Sequence, residues 1–271
     1  MIKYLKQAEI DYDKWDQCIR NAMNSYVYAY SWYLDIVAGE WDALVEDDYT
    51  RVFPLPFRKK MGIKYIYQPA FSQQLGLFST SLQGNKKLQE FLSAIPKEFK
   101  LIEINLNKFH IPIEGKGITL KKNLNIELDL TSDYNQLAAN YSSNLKRNIK
   151  KAKKNDLQII KHSKPEELIQ LFKDNKGQEV KAYSELDYVH LGRLIYLLIH
   201  KGMGEVISVA SSENNLIASV LFVRDEHRVI FLFSGLSEEG KQKGAMPFLI
   251  DSFIQEHSST AITLDFEGSN N

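Results

Sequence analysis

The stretch ISVASSENNLIASVLFV (207–223) decides how the rest of the chain is read. Two apolar, partly alternating runs flank a polar segment at Glu213–Asn215, the pattern of two antiparallel strands joined by a turn. An earlier stretch, DALVEDDYTRVFPLPF (42–57), has the same form, with its turn at Asp47–Tyr49. A third strand follows each hairpin: KYIYQPA (64–70) in one case and VIFLFSG (229–235) in the other. Next comes a helix with apolar residues at i, i+3 and i+4, carried by Leu88, Phe91 and Leu92 and by Ile250, Phe253 and Ile254. Each series closes on an alternating strand, LIEINLN (101–107) or AITLDFEG (261–268).

Matching elements stay between 160 and 166 residues apart along the whole series. This predicts two similarly built halves, with coincidence between two mixed α/β domains as the alternative. Each half would be a three-strand antiparallel meander followed by a helix and a strand. A right-handed crossover returns each last strand parallel to its meander. The expected class is therefore α+β, each domain a mostly antiparallel sheet flanked by helices.

Helices are expected ahead of each meander, at 11–23 and 30–39 in the first half and at 163–174 and 184–202 in the second. Ser163, Pro165 and Glu166 read as a capping box with proline in the first turn. The segment HIPIEGKGI (110–118), broken by Pro112, Gly115 and Gly117, is the expected seam, giving domains 1–118 and 119–271.

Lys plus Arg and Asp plus Glu number 34 each, so net charge selects no class of partner. The charge is unevenly spread. Residues 141–164 carry eight basic residues and one acid, whereas 165–271 carry nine basic and sixteen acidic. Cys18 is the only cysteine, so no internal disulfide forms, which fits a reducing compartment. The start, MIKYLKQAEIDYDKW, lacks the apolar core of a signal peptide, and runs such as LIYLLIH (194–200) are too short to cross a bilayer. A cytoplasmic protein with no membrane span is expected.

The basic residues concentrate in YSSNLKRNIKKAKKN (141–155). Tyr141, Leu145, Ile149 and Ala152 make a narrow apolar stripe on a helix that Ser142 or Ser143 can cap. Lys146, Arg147, Lys150, Lys151, Lys153 and Lys154 occupy the other faces, and their i,i+4 repulsions weaken the helix unless anions lie nearby. The helix is either a solvated face or a site for an anionic small molecule or anionic polymer end. Duplex DNA fits less well, because no basic arm or DNA-binding motif accompanies it. No metal-ligand spacing, P-loop or nucleophile elbow is present, and His190 and His200 lie in or near an apolar helix.

Three segments together, WDALVED…FPLPFRKKMGIKYIYQPAFSQQLGLFS, YSSNLKRNIKKAKK and FLFSGLSEEGKQKGAMPFLIDSFI…LDFEGS, resemble the FemAB-like branch of the GNAT acyltransferase superfamily. The resemblance spans nearly the whole chain and implies two tandem GNAT-like domains, the basic helix opening the second and facing the cleft where donor and acceptor meet. It further implies that an acyl-CoA pyrophosphate rests on the turn SEEGKQKGAMPF (237–248), using Gly240, Lys241, Gln242, Lys243, Gly244 and Ala245. Here Lys241 stands where the family has Arg or Gln, and Met246 where it has a small residue; an ordinary strand-to-helix turn is the other reading.

The donor carbonyl would lie beside Ser234. Asp265 and Glu267, alternating on the last strand, would take the amine proton or else face solvent. Lys146, Arg147 and Lys150 would meet an anionic acceptor or the donor phosphate. Gln68, Gln73 and Gln74 would line the cleft, or else satisfy backbone groups of a buried loop.

The function so implied is N-acyl or N-aminoacyl transfer from a CoA-type or aminoacyl-tRNA donor, without a metal. The acceptor would be an amine on an anionic molecule such as a cell-envelope precursor. The alternative is a catalytically degenerate module binding an anionic glycan, a lipid headgroup or a protein partner.

Overall fold

The computed structural model describes residues 1–81, 85–110, 115, 117–179 and 183–268. The chain divides into two compact units, Met1–Lys122 and Asn123–Asn271. Pro112 of the expected seam lies outside the described residues. Among the described residues no helix is long and apolar enough to cross a membrane.

In chain order the first unit holds β1 (Ile2–Leu5), α1 (Tyr12–Asn21), α2 (Ser31–Val37), β2 (Trp41–Glu46), β3 (Arg51–Lys60), β4 (Ile63–Ile66), β5 (Phe78–Ser79), α3 (Asn85–Ala94) and β6 (Phe99–Ile102). Its sheet runs β1-β2-β3-β4-β6, with β5 pairing β3. β6 returns parallel to β4, and the other pairs are antiparallel. Leu88 and Phe91 bury the apolar stripe of α3, with Ile95 just past its end, against Leu44, Phe53, Leu55, Phe57 and Ile66. Each such side chain contributes roughly 1.5–3 kcal/mol by leaving water. Pro54 and Pro56 fall where β3 pairs with β2 on one side, before its pairing with β4 begins at Phe57, so a missing N–H is tolerated.

Two expected strands are corrected. β4 ends at Ile66 rather than at residue 70, because the chain turns at Pro69, whose carbonyl accepts from the Ser72 N–H and hydroxyl. β6 covers 99–102 rather than 101–107, and Leu106 rejoins the structure through a bridge to Leu75.

The second unit holds β7 (Glu127–Asp129), α4 (Tyr134–Ala139), α5 (Ser143–Lys154), β8 (Gln158–Lys161), α6 (Pro165–Asp174), α7 (Lys176–Glu179), α8 (Glu185–His200), β9 (Gly204–Ala210), β10 (Leu216–Arg224), β11 (Arg228–Leu236), α9 (Glu238–Lys243), α10 (Ala245–His257) and β12 (Thr263–Asp265). The sheet order is β7-β12-β11-β10-β9-β8. β9, β10 and β11 form the expected meander, and β12 returns parallel to β11. The topology of the first unit is thus repeated, an edge strand preceding each meander (β1 or β8) that the hydrophobic pattern does not reveal.

One face of this sheet, with Ile207, Val209, Val220, Phe222, Val229 and Leu264, packs on Ala152 of α5 and on Ala245, Leu249, Phe253 and Ile254 of α10. The other face is covered by α6 and α8, where the rings of Phe172 and Phe233 stand 4.7 Å apart.

The caps follow local chemistry. Ser142 accepts from the Leu145 N–H at 3.2 Å and starts α5, and Ser184 with Asp187 closes a capping box on α8. The expected box on α6 is displaced by one residue: Lys164 is the cap, and the Glu167 carboxylate accepts from its N–H at 3.3 Å. Ser163 is buried and its hydroxyl has no hydrogen-bond partner, so it does not cap this helix.

Candidate functional site

The site is built where β11 outruns β12. Their parallel pairing ends at Ile230 opposite Asp265, while β11 continues to Leu236. Along Phe231–Leu236 that edge has no strand partner among the described residues. A register shift between Leu221 and Phe222 sets the side-chain directions. Ser234 lies opposite Val220, on the α10 face, and is half-buried. Gly235 points the other way, toward α6. A Cβ there would lie 2.9 Å from the Phe172 nitrogen, so only glycine admits α6 at this distance.

Next along the chain, Ser237 accepts from the Gly240 N–H at 3.0 Å and opens α9. At the end of α9, Gly244 takes φ +76°, and α10 starts at Ala245. Both glycines are packing residues. A Cβ on Gly240 would lie 2.2 Å from the Ile217 carbonyl oxygen, and one on Gly244 would lie 2.7 Å from that of Asn148.

The expected pyrophosphate cradle falls on this turn. Each glycine presents its Cα to a protein carbonyl rather than to an open space. Pro247 withholds a donor from the first turn of α10, and the Phe248 N–H is taken by Gly244. Lys241 pairs with Glu238 at 3.1 Å and Lys243 with Glu239 at 2.7 Å, so both charges are compensated; Gln242 is exposed. The glycines at 240 and 244 are thus packing residues, and the two lysines of this turn are ion-paired.

The basic helix lies against this turn. α5 packs on α9 and α10 through buried Ile149 and Ala152, its main chain meeting Gly244 at Asn148. All six of its basic side chains are exposed. Lys146 donates to the Ala139 carbonyl at 2.9 Å and Arg147 to Asn144 at 2.7 Å, but none of the six makes an ion pair among the described residues. An acidic domain that leaves these lysines uncompensated holds a local positive field beside the α9–α10 turn.

Beneath α5, buried Asp251 of α10 accepts from the Tyr134 hydroxyl at 2.9 Å. Burial, and then this carboxylate, push the Tyr134 hydroxyl up to about 12. Tyr141 is raised further for the same reasons, burial first and then the Asp251 charge.

The expected pair of carboxylates is corrected. β12 stops at Asp265, and Glu267 lies beyond it with φ +58°, so strand alternation does not relate the two. Asp265 is 1% exposed and fully engaged. It accepts from Arg228 Nη1 at 2.6 Å, from Asn125 Nδ2 at 3.1 Å and from the Glu267 N–H at 2.9 Å. It anchors β12 and is not open to a substrate amine. Glu267 is half-buried near Tyr183, whose hydroxyl is raised by burial and then by the Glu267 charge. Nothing in the sequence singles out Tyr183; it becomes visible only through this proximity.

In the first unit the glutamines serve the loop. Gln68 donates to the Ser72 carbonyl at 2.8 Å and accepts from the Asn105 N–H at 3.0 Å. Gln74 accepts from the Lys108 N–H at 3.1 Å and donates to Gln73 at 2.9 Å. Of the two readings the sequence left open, these bonds are those of backbone satisfaction.

No family model matches the chain, and no curated protein matches it. Solved structures do. FemX shares 13% identity over 99% of this chain and 89% of its own, with a TM-score of 0.65. L-PGS from Bacillus licheniformis shares 11% over 95% and 77%, at 0.55. The C-terminal domain of a putative lysylphosphatidylglycerol synthetase from Agrobacterium fabrum shares 8% over 97% and 79%, at 0.52. At such identities the likeness establishes the fold alone, which this chain shares with FemX and the two synthetase structures.

Proposed function

We propose that the chain is an N-acyltransferase that moves an aminoacyl or acyl group from a polyanionic donor to an amine. The observation that carries this is α5: six basic side chains without an acidic partner among the described residues, on a helix seated against the α9–α10 turn. The stretch of β11 beyond Ile230, which pairs with no further strand on that edge among the described residues, lies in the same unit. Aminoacyl-tRNA is favoured over acyl-CoA as donor, because the uncompensated charge sits on α5 while the glycines of the turn are occupied by packing. The likeness in fold to FemX and to a lysylphosphatidylglycerol synthetase domain supports an aminoacyl group and a cell-envelope acceptor.

In the reaction the amine nitrogen attacks the donor carbonyl carbon. A C–N bond forms, the ester C–O bond breaks, and one proton passes from the nitrogen to the leaving oxygen. Main-chain N–H groups of the open β11 edge would hold the carbonyl oxygen near Ser234. Glu267, with Tyr183 beside it, would relay the proton. Asp265 would hold β12 in place for both.

Filter binding of tRNA across a salt series tests the reading. Affinity should fall steeply with salt, and Lys150→Glu with Lys151→Glu should weaken it roughly ten-fold or more. Binding that is insensitive to both, together with tight binding of acetyl-CoA, would overturn it.

A further inference from the structure

The hairpin between β3 and β4 turns through Met61 and Gly62, with φ of +50° and +80°. Positive φ at both central residues is the type I′ turn, for which Asn-Gly is the favoured pair. Methionine in the left-handed region costs roughly 1 kcal/mol, and here the side chain is 94% exposed, so it recovers nothing from packing. Ile63, next to the turn, is 53% exposed, and Leu101 on the edge strand β6 is 60% exposed. The register places Tyr65 between them on the sheet, opposite Leu101, and Ile63 opposite Lys60.

Cations ring this tip. Arg58, Lys59, Lys60, Lys97 and Lys100 are exposed. Lys64, half-buried over the rings of Phe57 and Phe99, pairs with Glu98 at 3.1 Å. Of these six, only Lys64 is ion-paired among the described residues, and the Arg58 guanidinium carbon lies over the Tyr67 ring, 4.3 Å from its centroid.

We infer that this hairpin docks the protein on the surface of an anionic lipid bilayer. Charge complementarity selects that occupant. An apolar tip among cations of which only Lys64 is ion-paired matches an interface where methionine and isoleucine pass below the headgroups while lysines, reaching along their own stems, meet phosphates. Exposed Lys100 also charges the open edge of β6, which disfavours pairing with a second copy. The inference rests on the first unit alone and does not depend on the transfer chemistry proposed for the second.

Co-sedimentation with vesicles provides the test, comparing phosphatidylcholine alone with an equal mixture of phosphatidylcholine and phosphatidylglycerol. Binding should require the mixture and weaken with salt. Met61→Asn with Ile63→Thr supplies the pair the turn favours and a β-branched strand residue, so folding is kept while binding falls roughly ten-fold. Lys59→Glu with Lys60→Glu should lower it by a similar factor. Lys150→Glu with Lys151→Glu, in the other unit, should retain most of it. The inference is overturned if the mixed vesicles bind nothing, or if Met61→Asn with Ile63→Thr binds as the parent does. It is also overturned if the α5 variant alone loses binding, or if the hairpin variant abolishes only self-association.

Discussion

Gly244 and Asn148 meet so closely that a Cβ on the glycine would lie 2.7 Å from the asparagine's carbonyl oxygen. The contact joins the basic helix to the turn it faces. Gly39, with φ +72°, has nothing within 4 Å of such a Cβ and serves as its control. Gly39→Ala should cost about 1 kcal/mol, the left-handed penalty alone. Gly244→Ala should cost at least about 2 kcal/mol, because α5 must also shift. Urea denaturation of the two variants checks this, and equal losses would mean that the packing contact is unimportant.

Asp265 and Arg228 should behave as a structural pair. Asp265→Ala removes the buried carboxylate from a guanidinium that is 15% exposed and also meets Glu127 at 2.7 Å, and should cost about 3 kcal/mol. Glu127→Ala removes a more exposed partner and should cost below about 1 kcal/mol. Unfolding curves measure both. A folded Asp265→Ala protein of parental stability that lacks activity would return Asp265 to the chemistry.

His110 should make the first unit acid-sensitive. Its Nε2 accepts from the Leu77 N–H at 3.1 Å, and burial holds its pKa down to about 4, against an ordinary 6.5. The unfolded chain therefore takes up this proton first. The stabilisation is complete above pH 6.5 and is lost as pH falls toward 4, by up to roughly 3 kcal/mol. Stability measured across this window should rise with pH, and less steeply in His110→Gln. An NMR titration midpoint near 6.5 in the folded protein would contradict the assignment.

Cys18 should be inert in the native protein. It is 3% exposed, and burial pushes its thiol up to about 12. Thiol reagents should label it only on unfolding; prompt labelling under native conditions would show that α1 opens locally.

The periodic elements were legible because their causes are local. Alternation in 207–223, the 3.6-residue stripe through Ile149 and Ala152 and the Ser142 cap each follow from neighbours in the chain. β1 and β8 were not, since each is a four-residue strand at a sheet edge, too short to show a period of its own. The site was read with less success for a related reason. Gly240 and Gly244 look in sequence like phosphate-binding glycines, and nothing local shows that Ile217 and Asn148 press against them. Asp265 and Glu267 look like an alternating pair until the backbone turns at Glu267.

Taken alone, the sequence determined the twofold topology, the location of the basic helix and the absence of an internal disulfide. Spacing, capping and composition are written along the chain and require no distant partner. Only the tertiary structure decided which charges are compensated and which glycines are filled. It also decided which carboxylate is locked away, because each outcome depends on what residues far apart in sequence bring within a few ångströms. Lys241 is neutralised and Lys150 is not, although both stand in lysine-rich stretches.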